Sequence, residues 1–453
     1  MADGTKSLTA QDSSSMVLLK PIYRSDTLAD QLLAHLNISY VKPSYQKRAQ
    51  TVAGSFLYAA KEVSKNKKDI QIGWPHHDHH WTDYPSAGKT IIKEVREALI
   101  QANLIEFLPD SGKTIFDNSN VVGKITSLYS ISPRLAKLLD LSTASFSDPH
   151  RIPVRVSKKE TYPERLNRKK NQQSSPKLST KVCKRLFKGE WTKATQRIEH
   201  LNAFYAQHPL VLSDGFQCSS VTRVFSDGKL SAGGRLYGAY SHCEQLERVS
   251  STIDGQQVCE IDIRASQPTL LSCLSGYKIG TSWDDIYSAF PFVKRYKDDG
   301  KKKEARDQVK AVVAELLGVG NADKSNPSND LKSEGVVDFL FLKIKDEAKL
   351  IIPALVEMKK SSITSNNYLT FHESEIVLKT IETLIAKSIP AYSVHDSIIV
   401  KEADQQQAMD TLKETWSDHC IGQGNPTHAS RIHPAISVTY STMIEKTFKG
   451  MWE

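Results

Sequence analysis

The sequence is poor in cysteine and has no arrangement of cysteines that is typical of a disulfide or a metal site. Its six cysteines are scattered over 453 residues, without a Cys-X-X-Cys pair or any zinc-like spacing. Neither a disulfide framework nor a structural zinc site is therefore indicated. A reducing compartment such as the cytoplasm is the expected setting.

Long apolar segments are also lacking. The first residues, MADGTKSLTAQDSSS, have neither the basic start nor the apolar stretch of a signal peptide, and no apolar run approaches the length of a membrane span. We therefore expect neither export nor contact with a membrane. Residues 1–24 begin with a polar stretch too poor in apolar groups to offset the entropy lost on ordering, and they are predicted to form a disordered tail.

Positive charge, by contrast, is in excess. The chain has 39% hydrophobic residues, 60 lysines and arginines against 51 acidic residues, and a formal net charge of +9. This length and apolar content suffice for two or three domains with cores of their own. The charge favours a polyanionic partner such as nucleic acid or a nucleotide, although a basic protein without such a partner has the same composition.

Residues 25–150 are expected to form a winged-helix domain that binds nucleic acid. Within AGKTIIKEVREALIQANLIEFL, apolar side chains recur on one helical face, namely Ile91, Ile92, Val95, Leu99 and Ile100. Asn103 is the expected helix end, and strand-like runs around Asp110-Ser111-Gly112 predict a following β-hairpin. The candidate phosphate contacts are Lys89, Lys93, Arg96 and Lys113. A winged helix used only for packing or for protein contacts has the same pattern.

Residues 151–190 have the composition of a basic linker. Lysines and arginines far outnumber acidic residues there, and prolines and serines interrupt the pattern. Such a segment is either simply solvated or follows phosphates between nucleic-acid modules. From 191 to 453, helical patterns alternate with short β runs and no internal repeat is evident, which predicts one α+β domain.

Two aspartates in this last region are the strongest candidates for chemistry. An alternating strand over 258–263 delivers Asp262 before a helix that begins near Ser266, and the β runs AYSV and SIIV flank His395-Asp396 as in a hairpin. Two carboxylates about 4 Å apart would repel by roughly 4 kcal/mol at an effective dielectric near 20. A hard divalent cation, Mg²⁺ or Mn²⁺, removes that repulsion and suits phosphoryl transfer.

Basic residues accompany this pair along the chain. Arg306 and Lys310 fall one turn apart on a predicted helix, so both side chains could face one triphosphate. Arg235 follows two glycines in GGRLYG, where backbone and guanidinium could approach a nucleic-acid strand closely. A further run of basic residues leads into the helix and consists of Lys294, Arg295, Lys301, Lys302 and Lys303.

The order GGRLYG, strand-Asp-helix, Arg-X-X-X-Lys and VHDS resembles family-A DNA polymerases and single-subunit phage-type RNA polymerases. The resemblance covers about 230–420 and implies a right-hand palm with an antiparallel sheet and helical fingers, with a reduced thumb near 181–215. By this resemblance Asp262, the Ile263 carbonyl and Asp396 bind metal. Lys310 would act in catalysis, and the nucleotide and primer end would be contacted by Arg306, Gln267, Arg235 and His395.

The implied activity is template-directed nucleotidyl transfer by two metal ions, as polymerase or primase. The partners would be a DNA or RNA template and nucleoside triphosphates, whereas the sequence sets no oligomeric state. The layout is also similar to uncharacterised polymerase-like proteins of phages and mobile elements, which implies the cytoplasm of a bacterial or phage-infected cell, at the nucleoid.

Three positions depart from the best-known relatives. Ser397 replaces the glutamate that follows the aspartate in the DNA polymerases and matches the RNA polymerase version. Gly318 stands eight residues after Lys310, where both families place a tyrosine. Gln267 occupies the position of the usual steric-gate glutamate, which permits ribonucleotides and leaves the product, DNA or RNA, open. The short chain predicts low processivity.

Other readings of the same residues remain open. The cluster His76-His77-Asp78-His79-His80 could bind a transition metal, but adjacent residues rarely share one coordination geometry, so an exposed loop is favoured. His395-Asp396 would also suit a metal phosphohydrolase, although such pairs lie on helices. His372, Glu373 and Glu375 would either touch template or cap a helix. Finally, the protein could be a DNA-binding replication initiator or regulator with an inactive polymerase-like fold.

Overall fold

The computed structural model describes most of the chain, in fourteen stretches. These are residues 16–18, 28–65, 71–74, 89–108, 114–117, 120–124, 127–138, 146–148, 152–170, 175–277, 285–358, 366–423, 435–442 and 445–448. The His76–His80 cluster and Lys113 lie outside them, as does most of the predicted N-terminal tail. Within them, no helix is both long enough and apolar enough to cross a bilayer.

The chain forms an α+β structure whose elements are numbered here in chain order. The helices are α1 Leu28–His35, α2 Pro43–Lys65, α3 Lys89–Gln101, α4 Pro133–Leu138, α5 Tyr162–Lys170, α6 Thr180–Tyr205, α7 Gln245–Val249, α8 Ser266–Ser275, α9 Pro291–Lys294, α10 Asp299–Val319, α11 Asn329–Ser333, α12 Asp338–Ile351, α13 Ala354–Glu357, α14 Asn366–Ile385 and α15 Gln405–Gln423. The strands are β1 Met16–Leu18, β2 Gln71–Trp74, β3 Ile105–Phe107, β4 Thr114–Asp117, β5 Asn120–Lys124, β6 Ser127–Ile131, β7 Phe146–Ser147, β8 Val154–Val156, β9 Leu210–Val211, β10 Phe216–Cys218, β11 Thr222–Phe225, β12 Gly233–Tyr237, β13 Thr252–Ile253, β14 Gln256–Ile263, β15 Ala391–Val394, β16 Ser397–Lys401, β17 Ile436–Thr439 and β18 Glu445–Phe448.

These elements fall into two compact units. Unit 1 comprises Met1–Ile152 with Asp214–Ser220, and unit 2 comprises Pro153–Ser213 with Val221–Glu453. In unit 1, helices α1, α2 and α3 accompany a sheet of order β1-β2-β6-β3, while β4 and β5 form a separate antiparallel pair. The core of this unit is mainly aliphatic and includes aromatic side chains, with Trp74 fully buried and its ring centroid 6.0 Å from that of Tyr129.

The helix predicted in unit 1 is present as α3, with two differences around it. Asn103 adopts φ 53° just beyond the helix end, as a helix stop requires. Ile100, however, is 37% exposed. It lies nine residues from Ile91, which is two and a half helical turns and therefore the opposite side of the helix.

The hairpin predicted around Asp110-Ser111-Gly112 is not the one observed. Strand β3 pairs antiparallel with β6, and β4 pairs with β5 instead. The turn residues 110–112 lie outside the described residues. Pairing β3 with β6 brings Phe107 against Tyr129, with ring centroids 5.5 Å apart, which is a cross-strand apolar contact that the local sequence pattern does not reveal.

Unit 2 contains an antiparallel sheet with strand order β15-β16-β14-β13-β9, and β17 pairs with both β14 and β18. As the sequence predicts, β14 leads directly to α8, and β15 and β16 form a hairpin. The central strand β14 is flanked by β16 and β17, so its middle residues, among them Ile261, are fully buried.

A second sheet of unit 2 has the order β12-β11-β8. Strand β8 pairs in parallel with β11, and β11 pairs antiparallel with β12. Residues 153–170 and 175–190, which have the composition of a linker, thus contain a sheet strand, the helix α5 and the start of α6. Backbone hydrogen bonding to β11 stabilises this segment despite its charge, because strand pairing does not depend on apolar side chains alone.

Candidate functional site

The pairing of β14 with β16 brings the two candidate aspartates together. Asp262 lies directly opposite Ser397, so Asp396 is the next residue along, in the two-residue turn between β15 and β16. The turn is tight enough that His395 adopts φ 57°. Both aspartates are half-buried. Among the described residues, neither carboxylate has an ion-pair partner.

The pKa values of the two aspartates are those of a site with too little positive charge to stabilise two carboxylates. Burial, together with the charges of Asp396 and Glu260, raises the pKa of Asp262 to about 8, although Lys310 and Arg264 oppose the rise. Burial also raises the pKa of Asp396, with Arg235 as the largest opposing influence. Either a proton or a cation is therefore needed here at neutral pH.

The residues present fit a divalent cation whose coordination is completed by substrate. No group of three or more His, Cys, Asp or Glu side chains among the described residues forms a ready metal site. Mg²⁺ is commonly held by one or two carboxylates together with substrate phosphates and water, so a full protein cage is not required. Ile263 has a buried side chain and pairs through its backbone with Ile436. A metal contact by its carbonyl stays a prediction.

A third carboxylate, which the sequence reading missed, lies beside the pair. Glu260 is two residues before Asp262 on β14 and therefore on the same face of the sheet. Its carboxylate accepts hydrogen bonds from Arg248 Nε at 2.9 Å, Arg248 Nη2 at 3.1 Å and Ser397 Oγ at 3.0 Å. Ser397 thus ties the start of β16 to β14. The two-residue spacing of Glu260 and Asp262 in the strand was the available signal.

Arg235 is held by a buried acid of the long helix α14. Its Nε donates to Glu373 Oε1 at 2.9 Å, and Glu373 is 1% exposed. The other oxygen of Glu373 accepts from Ser266 Oγ, at the start of α8, at 2.7 Å. Burial and the nearby Asp396 raise the pKa of Glu373, although Arg235 and Ser266 oppose this. Glu373 therefore neither caps a helix nor faces solvent.

The other two residues considered with Glu373 are also engaged inside unit 2. His372 Nδ1 lies 2.8 Å from His419 Nε2 of α15, and burial together with His419 lowers the pKa of His372 to about 4. Glu375 forms ion pairs with Arg223 and with Arg197, the latter at 3.1 Å. The Arg223 contact attaches α14 to the sheet that carries Arg235, whereas the Arg197 and His419 contacts attach it to α6 and α15.

The helix α10 orients Lys310 and Arg306 differently. Lys310 is exposed, and its charge opposes the rise in the pKa of both Asp262 and Asp396. Arg306 donates from Nε to Asp285 Oδ2 at 2.5 Å. Its guanidinium also lies 5.6 Å from the ring centre of Tyr287. The sequence reading did not include these two partners of Arg306.

The remaining predicted contacts have varied surroundings. His395 is exposed and packs its ring edge-on to Tyr237, with centroids 6.1 Å apart. Gln267 is half-buried, and its Nε2 donates to Thr370 Oγ1 at 3.4 Å. Gly318 lies on an exposed part of α10, where an added Cβ would meet nothing within 4 Å.

The predicted nucleic-acid contacts of unit 1 are only partly described. Lys93 is 66% exposed and lies 3.7 Å from Glu97 on the same helix. Arg96 is mostly buried, and its charge opposes the rise in the pKa of Tyr129 that burial causes. The side chain of Lys89 and all of Lys113 lie outside the described residues. A role in binding nucleic acid stays a prediction for all four.

Comparison with known proteins adds little to this geometry. No protein-family model matches the chain, and no curated protein matches it. Among solved structures, a similar one is the POL domain of Pol1 from M. smegmatis in complex with DNA primer-template and dNTP. The match has 12% sequence identity and a TM-score of 0.32, and it covers 63% of this chain and 57% of that chain. The chain thus spans little more than half of that structure, and a TM-score of this size does not establish a shared fold.

Proposed function

We propose that the protein is a nucleic-acid polymerase or primase that transfers nucleotides from NTP or dNTP to a 3′-hydroxyl. The observation that carries the proposal is the register of β14 and β16, by which Asp262 lies opposite Ser397 and beside Asp396. The positive charge of Lys310 acts on both carboxyl groups. Mg²⁺ or Mn²⁺ bound there would activate the attacking hydroxyl and stabilise the leaving pyrophosphate.

The chain's own residues would do the rest by positioning and charge. Asp262 and Asp396 hold the cation, and Lys310 neutralises negative charge that develops on the triphosphate. Arg306 contacts the same triphosphate from one turn away on α10 once substrate competes with Asp285. Arg235 contacts the primer or template strand, and its guanidinium is oriented for this by Glu373.

In this proposal unit 2 contains a palm, with the sheet around β14, and helical fingers that include α10. A reduced thumb would lie in α6, and unit 1 would act as a winged helix that binds the template. Such an enzyme would act at the nucleoid of a bacterial or phage-infected cell, in the replication of a phage, plasmid or mobile element. Gln267 and Ser397 leave both ribonucleotides and deoxyribonucleotides as candidate substrates.

The test is nucleotide incorporation by the full chain. Purified protein receives labelled NTPs or dNTPs separately, with and without primer, on single-stranded and duplex templates, in Mg²⁺ or Mn²⁺. We expect product in at least one condition and a loss of at least about 100-fold in both Asp262→Asn and Asp396→Asn. The matched control is Asp418→Asn, an exposed acid on α15, which should retain the wild-type rate.

Two results would contradict the proposal. Incorporation that persists in both aspartate variants would remove the metal site from the reaction. Absence of product in every condition, with DNA binding retained, would favour the alternative of a replication initiator or regulator with an inactive polymerase-like fold. The engagement of Arg306 by Asp285 and of Arg235 by Glu373 is the observation in favour of that alternative.

A further inference from the structure

A cluster of exposed basic residues in unit 2 does not belong to the candidate functional site described above. We call it the basic surface and define it as Lys158, Lys159, Lys181, Lys184, Arg185 and Lys188. All six side chains are exposed. Within the described part of the chain, none of the six has an ion-pair or hydrogen-bond partner for its charged group.

The fold brings the two halves of the basic surface together. Lys158 and Lys159 follow β8, while the other four residues lie in the first turns of α6. The segment between these elements returns to β8, because Lys158 N donates to the Pro176 carbonyl at 2.7 Å and Leu178 N donates to the Val156 carbonyl at 2.9 Å. On α6, positions 181, 184 and 185 recur at helical spacing and share one side of the helix, and Lys188 follows at a kink of α6.

The acidic residues of this segment do not neutralise the surface. Between 153 and 189 the only acids are Glu160 and Glu164. Glu160 accepts two hydrogen bonds from Arg168 Nε, at 2.7 and 3.0 Å. Glu164 accepts from the backbone N–H and the hydroxyl of Thr161, both at 2.7 Å. Concentrated, unpaired charge of one sign produces a local potential that attracts polyanions.

Two residues of the basic surface, Lys158 and Lys159, closely follow β8, which belongs to the sheet that carries Arg235. Across that sheet, Arg155 of β8 is opposite Val224 of β11, and Val224 is opposite Arg235 of β12. Neighbouring strands are about 4.8 Å apart, so β8 lies about 10 Å from the strand of Arg235. A phosphodiester chain in contact with Arg235 would therefore have to extend by only about 10 Å to reach this edge.

We propose that the basic surface binds the phosphodiester backbone of a nucleic-acid strand that extends from the site. This inference rests on the proposed function, because it takes nucleic acid as the polymer that the site acts on. The surface contributes affinity without base specificity, since phosphate contacts carry no sequence information. Neutralising part of it should therefore weaken binding to all sequences alike.

The experiment measures the salt dependence of binding by full-length protein. Fluorescence anisotropy with a labelled single-stranded oligonucleotide, and separately with a duplex, is recorded from 50 to 300 mM salt for wild type and for the triple variant K181Q/K184Q/R185Q. Each lost phosphate contact reduces the slope of log K against log salt by roughly 0.7 for single strands or 0.9 for duplex. The expected reduction is thus roughly 2 for single strands or 2.7 for duplex, which corresponds to roughly 50- to 150-fold weaker binding at 150 mM salt.

The matched control removes the same charge elsewhere in unit 2. The variant K379Q/K387Q/K413Q should keep the wild-type slope, because its residues lie on α14, just beyond its end, and on α15. An unchanged slope in the basic-surface variant, or an equal change in the control, would overturn the proposal. Competition by poly-glutamate as effective as that by nucleic acid of equal charge would also overturn it, in favour of an acidic protein partner.

The outcome is separable from that of the proposed function. A reduced slope in a protein that incorporates no nucleotide would leave the basic surface standing and refute the polymerase assignment. Nucleotide incorporation with an unchanged slope would refute the role of the basic surface and leave the polymerase assignment standing. If the wild-type protein binds neither the single-stranded oligonucleotide nor the duplex, both the basic-surface proposal and the polymerase assignment are refuted.

Discussion

The ion pair between Arg248 and Glu260 allows a quantitative test of how the site is held. Both side chains are nearly buried, with 11% of Arg248 and 5% of Glu260 exposed. Arg248→Met removes the two hydrogen bonds to Glu260 and a third to the Cys243 carbonyl, and it leaves a buried carboxylate with Ser397 as its remaining side-chain partner. Breaking a buried pair in this way costs about 3–5 kcal/mol of unfolding free energy.

A second substitution should restore part of that loss. In Arg248→Met/Glu260→Gln no charge is buried, and the amide nitrogen and oxygen of the new side chain can still meet Ser397. We therefore expect the double variant to be about 2 kcal/mol more stable than Arg248→Met alone, because replacing both members of a buried pair is far less costly than removing one.

The assay is urea unfolding followed by tryptophan fluorescence, with the slope m compared between variants and hydrogen exchange of β14 used to assign the transition to unit 2. The buried Trp191 and Trp416 lie in unit 2 and report on it. A cost below about 1 kcal/mol for Arg248→Met, or a double variant no more stable than the single one, would refute the reasoning.

Two further predictions concern the aspartate pair and the backbone. In metal-free protein the pKa of Asp262 is raised to about 8, whereas the pKa of an aspartate in the unfolded chain is about 3.9. The folded protein therefore binds this proton more tightly than the unfolded chain does. Unit 2 should consequently lose stability as the pH rises from about 4 to 8. Asp262→Asn should reduce that loss, although Asp396 and Glu373 still contribute to it, and should have the higher urea midpoint at pH 8 in chelator. An unchanged pH dependence would contradict the prediction. Within α6, Lys188 has φ 49° and ψ −122°, a conformation that costs a non-glycine residue about 1–3 kcal/mol. Lys188→Gly should therefore leave the free energy of unfolding unchanged or raise it by up to about 1 kcal/mol. The control Lys193→Gly, at a regular exposed position of the same helix, should lower the free energy of unfolding by about 1 kcal/mol. Equal losses for the two variants in thermal unfolding would show that the backbone at Lys188 is not strained.

Short-range patterns in the sequence were sufficient for the elements that carry the site. Alternation of apolar residues predicted β14 and the β15–β16 hairpin, and helical spacing predicted α3 and α10. The same reasoning failed where pairing partners are distant. It joined β3 to the wrong strand, and it described as a linker a segment that pairs with β11, because neither partner is adjacent in the sequence.

The two aspartates show most clearly which features depend on the local sequence and which on the tertiary structure. The sequence by itself determined that Asp262 ends a strand and that Asp396 lies in a hairpin turn, because both depend on residues within a few positions. Only the tertiary structure decided that Asp262 lies opposite Ser397, since strand register is set by packing across the whole sheet.

The partners of the site residues were likewise set by the tertiary structure alone. Glu373 is 138 residues from Arg235, and Asp285 is 21 residues from Arg306. No local pattern marks such pairs, because a buried charge is stabilised by whichever opposite charge the fold brings within reach. The sequence thus determined which side chains are available for the chemistry, and the packing of α14, β12 and β14 determined which of them meet.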